Sequence, residues 1–266
     1  MAERGRVRGD GVDVLRREPA PVGAARLRVS ARRRGTDRLG RGFYARPSQE
    51  LARRLLGCVI TRAVPGDGGD GLVRAVIVET EAYCGPADQG SHARNGLRTA
   101  RNEAMYGPAG LLYVYFTYGM HHCANVVCAA EGVPEAVLLR AASVVRGAEL
   151  VRRERRLGGL AELRHDRDLL RGPGRLCAGL GISRRDNGQD LATSARVWIE
   201  GRASASEASG NGADAPVAPS NARPGRVLCG PRIGLSARAG AWADRALRFW
   251  IADHPAVSGP SGRNVG

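Results

Sequence analysis

Between Val78 and Arg140 the chain gathers side chains able to move protons or stack on flat rings: Glu79, Glu81, Tyr83, Asp88, His92, Tyr106, Tyr113, Tyr115, Tyr118, His121, His122 and Asn125. The whole chain has six tyrosines, and five fall in this stretch, so the aromatics are not spread at random. A carboxylate beside a sugar C1′ can deprotonate water and stabilise an oxocarbenium-like transition state. Aromatic faces can replace the stacking that a nucleobase loses on leaving a helix, each contributing about 1–3 kcal/mol. A tyrosine at the tip of a hairpin is large and stiff enough to plug the vacated slot. Carboxylates, aromatics and a basic surround together suit the handling of a base outside its stack.

Charge narrows the chemistry. Forty-one basic residues against 26 acids give a formal net charge of +15. Such a field attracts polyanions, nucleic acid ahead of an anionic membrane surface. On charge alone, a solvated basic surface without a partner is the alternative. Every basic side chain is arginine, and the sequence contains no lysine. Arginine keeps its proton, so Schiff-base chemistry through a side chain is excluded. A phosphate loop of the GxxxxGK[ST] type is excluded as well. If this chain cuts a glycosidic bond, water is the attacking group; the terminal amine is the one formal exception.

Six cysteines (Cys58, Cys84, Cys123, Cys128, Cys177 and Cys229) form no C-x-x-C pair, which predicts reduced, mostly buried thiols. His121, His122 and Cys123 are consecutive. Neighbours on a strand point to opposite faces, so these three do not converge on one ion, and neither metal nor cofactor is expected. No apolar run reaches the ~18 residues a membrane span needs, and the start lacks a signal peptide's apolar core. A cytoplasmic, nucleoid-associated monomer without membrane contact is expected.

The elements that must position these groups follow from patterning. Pro47–Leu56 reads as a helix capped by Ser48, with Leu51, Leu55 and Leu56 on one face. Leu72–Glu79 reads as a strand. Leu111–Tyr118 and Cys123–Ala129 read as the arms of a hairpin turning at Gly119. Glu135–Val145 is a further strand, and 147–156 and 174–180 are helices. Arg196–Glu200, Arg232–Ser236 and Leu247–Ala252 are short late strands. Strands grouped by hairpins, not alternating with helices, predict an α+β fold: a single domain with a curved, largely antiparallel sheet. Residues 1–41 hold 12 arginines and 5 acids and are expected to be a disordered tail that adds phosphate contacts. Residues 202–226, rich in Ala, Ser, Gly and Pro, are expected to be a low-complexity surface loop. Residues 255–266 are expected to be a loose tail.

The motifs ETEAY-x-GP-x-D, SHA…G…T-x-RN, LYVY-x-x-YGM-x-x-C-x-N and AVLLRA, followed by GPGRLCAGLGI and NGQDL, carry a resemblance. The chain resembles the alkyladenine (3-methyladenine) DNA glycosylase family, bacterial type, over about residues 43–252, which implies a glycosylase domain at 42–254. The resemblance implies base flipping from double-stranded DNA through a protruding, intercalating hairpin. It implies that Glu81 is the general base for water and that Arg140 holds water and DNA beside it. Tyr83 and Tyr115 would sandwich the base, with His92 completing the wall. Asn125 would reject the guanine 2-amino group, Leu138 would touch the wall, and Tyr118 would be the wedge. The implied substrates are 3-methyladenine and 7-methylguanine, with ethenoadenine and hypoxanthine as further candidates, and the product is an abasic site in an intact strand. Glu79 would be structural; Asp88, Arg101 and Asn102 would hold loops or phosphates. Ala100, Ala109 and Gly179 depart from the family pattern at loop and packing positions only. Three rivals remain. A non-cutting reader of distorted DNA predicts a damaged position 81, a formyl-transfer-domain relative would lack the Tyr115/Tyr118 arrangement, and a nucleoside hydrolase suits this charge poorly.

Overall fold

One strand, β2 (Gly71–Tyr83), organises the sheet. Its residues 74–83 pair with β5 (Glu135–Arg146) on one side. On the other side it pairs with β1 (Cys58–Val64) through residues 71–76 and with β8 (Arg248–Ile251) through residues 79–81. The remaining order is β3 (Leu112–Thr117), β4 (His121–Cys128), β5, β2, β1 and β6 (Val197–Arg202), with β7 (Val227–Gly230) added to β8. Every one of these pairings is antiparallel. The computed structural model describes residues 38–64, 71–117, 121–202 and 225–259, and all of these belong to one compact unit. Tyr118, residues 1–37 of the expected tail and 203–224 of the expected loop lie outside the described residues.

The helices gather on one face of the sheet, as the α+β expectation requires. Helix α1 (Arg41–Tyr44) contributes Tyr44, α2 (Ser48–Leu55) contributes Leu51, Ala52 and Leu55, α3 (Ala148–Leu157) contributes Val151, and α4 (Pro173–Gly179) contributes Leu176 and Cys177. They bury Leu112 and Val114 of β3, Ala124 and Val126 of β4, and Val137 and Leu139 of β5 in one core. Strict alternation then turns Tyr113, Tyr115, Cys123, Asn125, Leu138 and Arg140 to the opposite face, where they line a cavity.

Strand β2 departs from that alternation, and the departure matters. Val73, Ala75 and Ile77 enter the helix-side core, yet so does Ala82, and the Thr80 hydroxyl donates to the α2 carbonyl of Ala52 at 2.9 Å. The β2–β5 register shifts on both sides of Glu79, between Ile77 and Thr80. A bulge reverses which parity faces which side. Without it, Glu79 and Glu81 would share the parity of Ile77 and point into the apolar core.

Several expectations are corrected. Strand β1 was not anticipated, and β2 runs four residues past Glu79. Ser48 is the first residue of α2, not its side-chain cap: its N–H donates at 2.7 Å to a Glu135 carboxylate oxygen arriving from β5. A remote acid therefore meets an orphan donor that a local cap would ordinarily take. Arg232–Ser236 is not a strand, because Gly234 adopts φ 81° and the Ile233 N–H is spent on Glu81; β7 lies just before it. The expected tails are shorter where described. Leu39 N–H donates to Ile199 O at 2.9 Å, and Ala256, Val257 and Ser258 are buried. Among the described residues, no helix is long and apolar enough to cross a membrane.

Candidate active site

The cavity opposite the helices has a volume of about 420 Å³ and is walled by Tyr83, His92, Tyr113, Tyr115, Asn125, Leu138, Arg140 and Ile233. Its size and mixture of aromatic and polar groups fit a small flat ligand. Tyr113 and Tyr115 project together because they are two residues apart on β3. Their rings lie 5.5 Å apart, and His92 packs edge-on against Tyr115 with centroids 4.5 Å apart. The Tyr113 hydroxyl sits 2.9 Å from His92 Nδ1.

His92 comes from an irregular segment, not from the sheet, and Asn102 holds it in place. Asn102 Nδ2 donates to the carbonyls of His92 (3.0 Å) and Leu97 (2.8 Å), while its Oδ1 accepts the Thr99 N–H at 2.7 Å. Burial, then the charges of Arg101 and Arg94, push the His92 imidazolium down to about 4. The ring is therefore neutral at neutral pH. Arg101 donates to the Phe116 carbonyl at 3.1 Å and lies 5.6 Å above the Tyr115 ring.

Glu81 lies directly behind this wall and is fully buried. Its Oε1 accepts the Ile233 N–H at 2.8 Å and faces Arg140 Nη1 at 3.1 Å. Its Oε2 accepts the Tyr83 hydroxyl at 3.1 Å. Burial raises the Glu81 carboxyl above its ordinary value, while Arg140, the Ile233 N–H and the Tyr83 hydroxyl oppose the rise and neighbouring Glu79 adds to it. Three donors suit an ionised carboxylate. Burial and the adjacent Glu81 charge raise Tyr83 well above the usual phenol value, so it donates as a neutral phenol.

Glu79 shares Arg140 with Glu81 but is otherwise committed. Its Oε1 accepts from Arg140 Nε (3.0 Å) and Arg248 Nε (2.6 Å), and its Oε2 accepts the Ser258 N–H (2.6 Å). Its donors are two arginines and a backbone N–H, and Glu79 is not among the cavity-lining residues. Asp88 holds a loop: it accepts the Cys84 and Gly90 N–H groups at 3.0 and 2.9 Å and a two-pronged ion pair from Arg232 at 2.5 and 2.7 Å. Arg232 was missed as a site residue. Its guanidinium also lies 4.6 Å from the Tyr83 ring centre and donates to Ala82 O at 3.0 Å, bracing the outer side of the pocket. A basic residue beside a glycine-broken apolar stretch was the only local signal for it.

Asn125 is buried and donates through Nδ2 to Tyr113 O at 3.1 Å; Leu138, opposite it on β5, is 3% exposed. His121 packs against Gly174 and His122 against the Phe116 ring, 5.0 Å away, so the two imidazoles diverge. Of the residues singled out from the sequence, Tyr83, His92, Tyr115, Asn125, Leu138 and Arg140 line one cavity, and Glu81 lies outside its lining, bonded to three of its wall residues, Tyr83, Arg140 and Ile233.

The family model for methylpurine-DNA glycosylase (MPG) matches residues 42–255. A Streptomyces avermitilis protein with a provisional 3-methyladenine DNA glycosylase name is 44% identical over 220 residues, 83% of this chain and 90% of its own. The Homo sapiens DNA-3-methyladenine glycosylase is 38% identical over 224 residues, 83% of this chain and 68% of its own. A Methanocella arvoryzae relative, again provisionally named a 3-methyladenine DNA glycosylase, is 37% identical over 83% of this chain and 95% of its own. A sheet that sets a buried carboxylate behind an aromatic cavity, matched along nearly all of its length, makes this chain a member of the methylpurine-DNA glycosylase family.

Proposed function

We propose that this DNA repair glycosylase draws an alkylated purine out of a duplex into the cavity walled by Tyr83, His92 and Tyr115. Water deprotonated by Glu81 then hydrolyses the N-glycosidic bond. The observation that carries the reading is the placement of Glu81: fully buried and bonded to three cavity-wall residues, Tyr83, Arg140 and Ile233. A carboxylate lifted by burial is a stronger base than an ordinary surface one, which suits proton abstraction from water near neutral pH.

Arg140 holds water and the sugar-phosphate edge beside Glu81 while pairing with the carboxylate. Tyr83 and Tyr115 stack on the base, and Leu138 closes the wall. Asn125, tethered to Tyr113 O, presents its amide where a guanine 2-amino group would crowd it. A neutral His92 can lie against a cationic lesion without repulsion. Lesions such as 3-methyladenine and 7-methylguanine leave as neutral bases, so shape selection and one base suffice for them; ethenoadenine and hypoxanthine complete the proposed range. Tyr118, following β3, is the wedge that fills the vacated stack. The enzyme acts as a monomer in base excision repair, and its product is an abasic site in an unbroken strand because no lysine is available for β-elimination.

The test is one assay. Duplexes carrying 7-methylguanine, ethenoadenine or hypoxanthine are incubated with wild type and with Glu81→Gln, then heated in alkali. Wild type should release base and Glu81→Gln should lose about 100- to 10,000-fold in rate. Base release from no duplex refutes the reading, and scission without alkali refutes the intact-strand product.

A further inference from the structure

The segment after β8 reaches the charged cluster around Arg140 and touches Glu79, Arg140 and Arg248. Ser258 is buried and makes three separate contacts: its N–H donates to Glu79 Oε2 (2.6 Å), its hydroxyl accepts from Arg140 Nη2 (3.2 Å), and its carbonyl accepts from Arg248 Nη2 (2.7 Å). Glu79 ties the two arginines together by accepting both Nε groups on one oxygen. Arg140 is thereby held on three edges: Nε by Glu79, Nη2 by Ser258 and Nη1 by Glu81. Two buried carboxylates and two buried arginines balance in charge, which meets the condition under which buried ions are tolerated. An arginine with a five-bond side chain, held on one edge only, would sweep the cavity wall.

We propose that Glu79 is a positioning residue for Arg140, and that Ser258, brought from the end of the chain, completes the cradle that aims Arg140 Nη1 at Glu81. The inference rests on the hydrolytic reading above. It assigns catalytic consequence to a carboxylate without an acid–base role and to a segment outside every motif.

The groups facing Glu81 are Arg140 on β5, Tyr83 and Glu79 on β2, Cys123 on β4, Tyr115 on β3 and Arg232 after β7. Of these, Glu79 is the like charge. Glu79→Gln keeps the shape, removes that charge and loosens Arg140. Single-turnover release of 7-methylguanine is measured against pH, alongside equilibrium binding of the lesion duplex. The expected result is a rate about 10- to 100-fold lower on the alkaline plateau, with binding changed little and the acid limb moved to higher pH, because a loosened Arg140, the larger influence on Glu81, outweighs the lost Glu79 charge. A Glu79 that does not position Arg140 would lower thermal stability and, through loss of its like charge alone, move the limb to lower pH. Ser258→Ala, which leaves every ion pair standing, should slow release several-fold. A Glu79→Gln enzyme at wild-type rate, with a limb unmoved or moved to lower pH, overturns the inference while leaving the hydrolytic reading intact, provided Glu81→Gln is inactive. Wild type that releases no base overturns both. Should Glu79→Gln fail to fold, Ser258→Ala decides, and a wild-type rate there overturns the inference.

Discussion

Tyr83→Phe separates stacking from proton chemistry at one position. The variant keeps the ring, which lies 4.6 Å from the Arg232 guanidinium, and deletes the hydroxyl that donates to Glu81 Oε2 at 3.1 Å. That bond favours the ionised carboxylate, and hydrogen bonds to charged groups are worth about 1.5–3 kcal/mol. At 1.36 kcal/mol per pKa unit, this is a rise of about one to two units in the Glu81 carboxyl. Burial already pushes it up, so the change adds in the same direction. Activity needs the carboxylate, and it falls as pH drops through this raised value. The acid limb of the variant should therefore begin one to two units higher, with rates about 10- to 100-fold below wild type on that limb and nearer to it on the alkaline plateau. Lesion-duplex affinity should change little because the stacking face is retained. The assay is single-turnover base release from about pH 5 to pH 9 with parallel binding titrations. A limb that stays in place would refute the claim that Glu81, tuned by the Tyr83 hydroxyl, is the titrating base.

Three further outcomes are expected. Glu81→Gln should melt at or above the wild-type temperature at pH 7, because burial disfavours the charge that the amide removes; a fall of several degrees in calorimetry would contradict this. Arg232→Met leaves the fully buried Asp88 carboxylate without its two-pronged partner and should cost about 3–5 kcal/mol in denaturant unfolding, with part of the loss recovered in Asp88→Asn/Arg232→Met; a neutral single variant would contradict it. For His92, the folded value near 4 lies below the ordinary imidazole value of 6.5, so its contribution to stability is present above pH 6.5 and is lost as pH falls toward 4. Wild type should accordingly lose stability relative to His92→Asn across that window in paired urea titrations, and parallel curves would show the ring to be solvated.

Local pattern carried much of this molecule. The i, i+2 spacing of Tyr113 and Tyr115, the hairpin partners Asn125 and Cys123, and the run from Leu138 to Arg140 share one sheet face simply because strand side chains alternate. The helices at 148–157 and 173–179 also lie within a residue of their expected bounds. The misplaced features share a cause. Ser48 looked like a cap because serine commonly is one, but the carboxylate that meets its N–H is 87 residues away. Arg232–Ser236 looked like a strand because its residues alternate, yet its backbone and arginine are spent on Glu81 and Asp88.

Residue types and short-range spacing by themselves determined the chemistry on offer: no lysine for Schiff-base chemistry, carboxylates, aromatic faces and a basic field. Tertiary structure decided which carboxylate is tied to the cavity walls. A bulge between Ile77 and Thr80 turns Glu79 and Glu81 away from the apolar core, and residues 232–258 return to give Glu79 two donors, Arg248 and Ser258, and Glu81 one, the Ile233 N–H. The physical reason is that alternation is a property of consecutive residues. The burial and pairing of charge depend on segments up to 179 positions apart, which meet only when the sheet has closed around them.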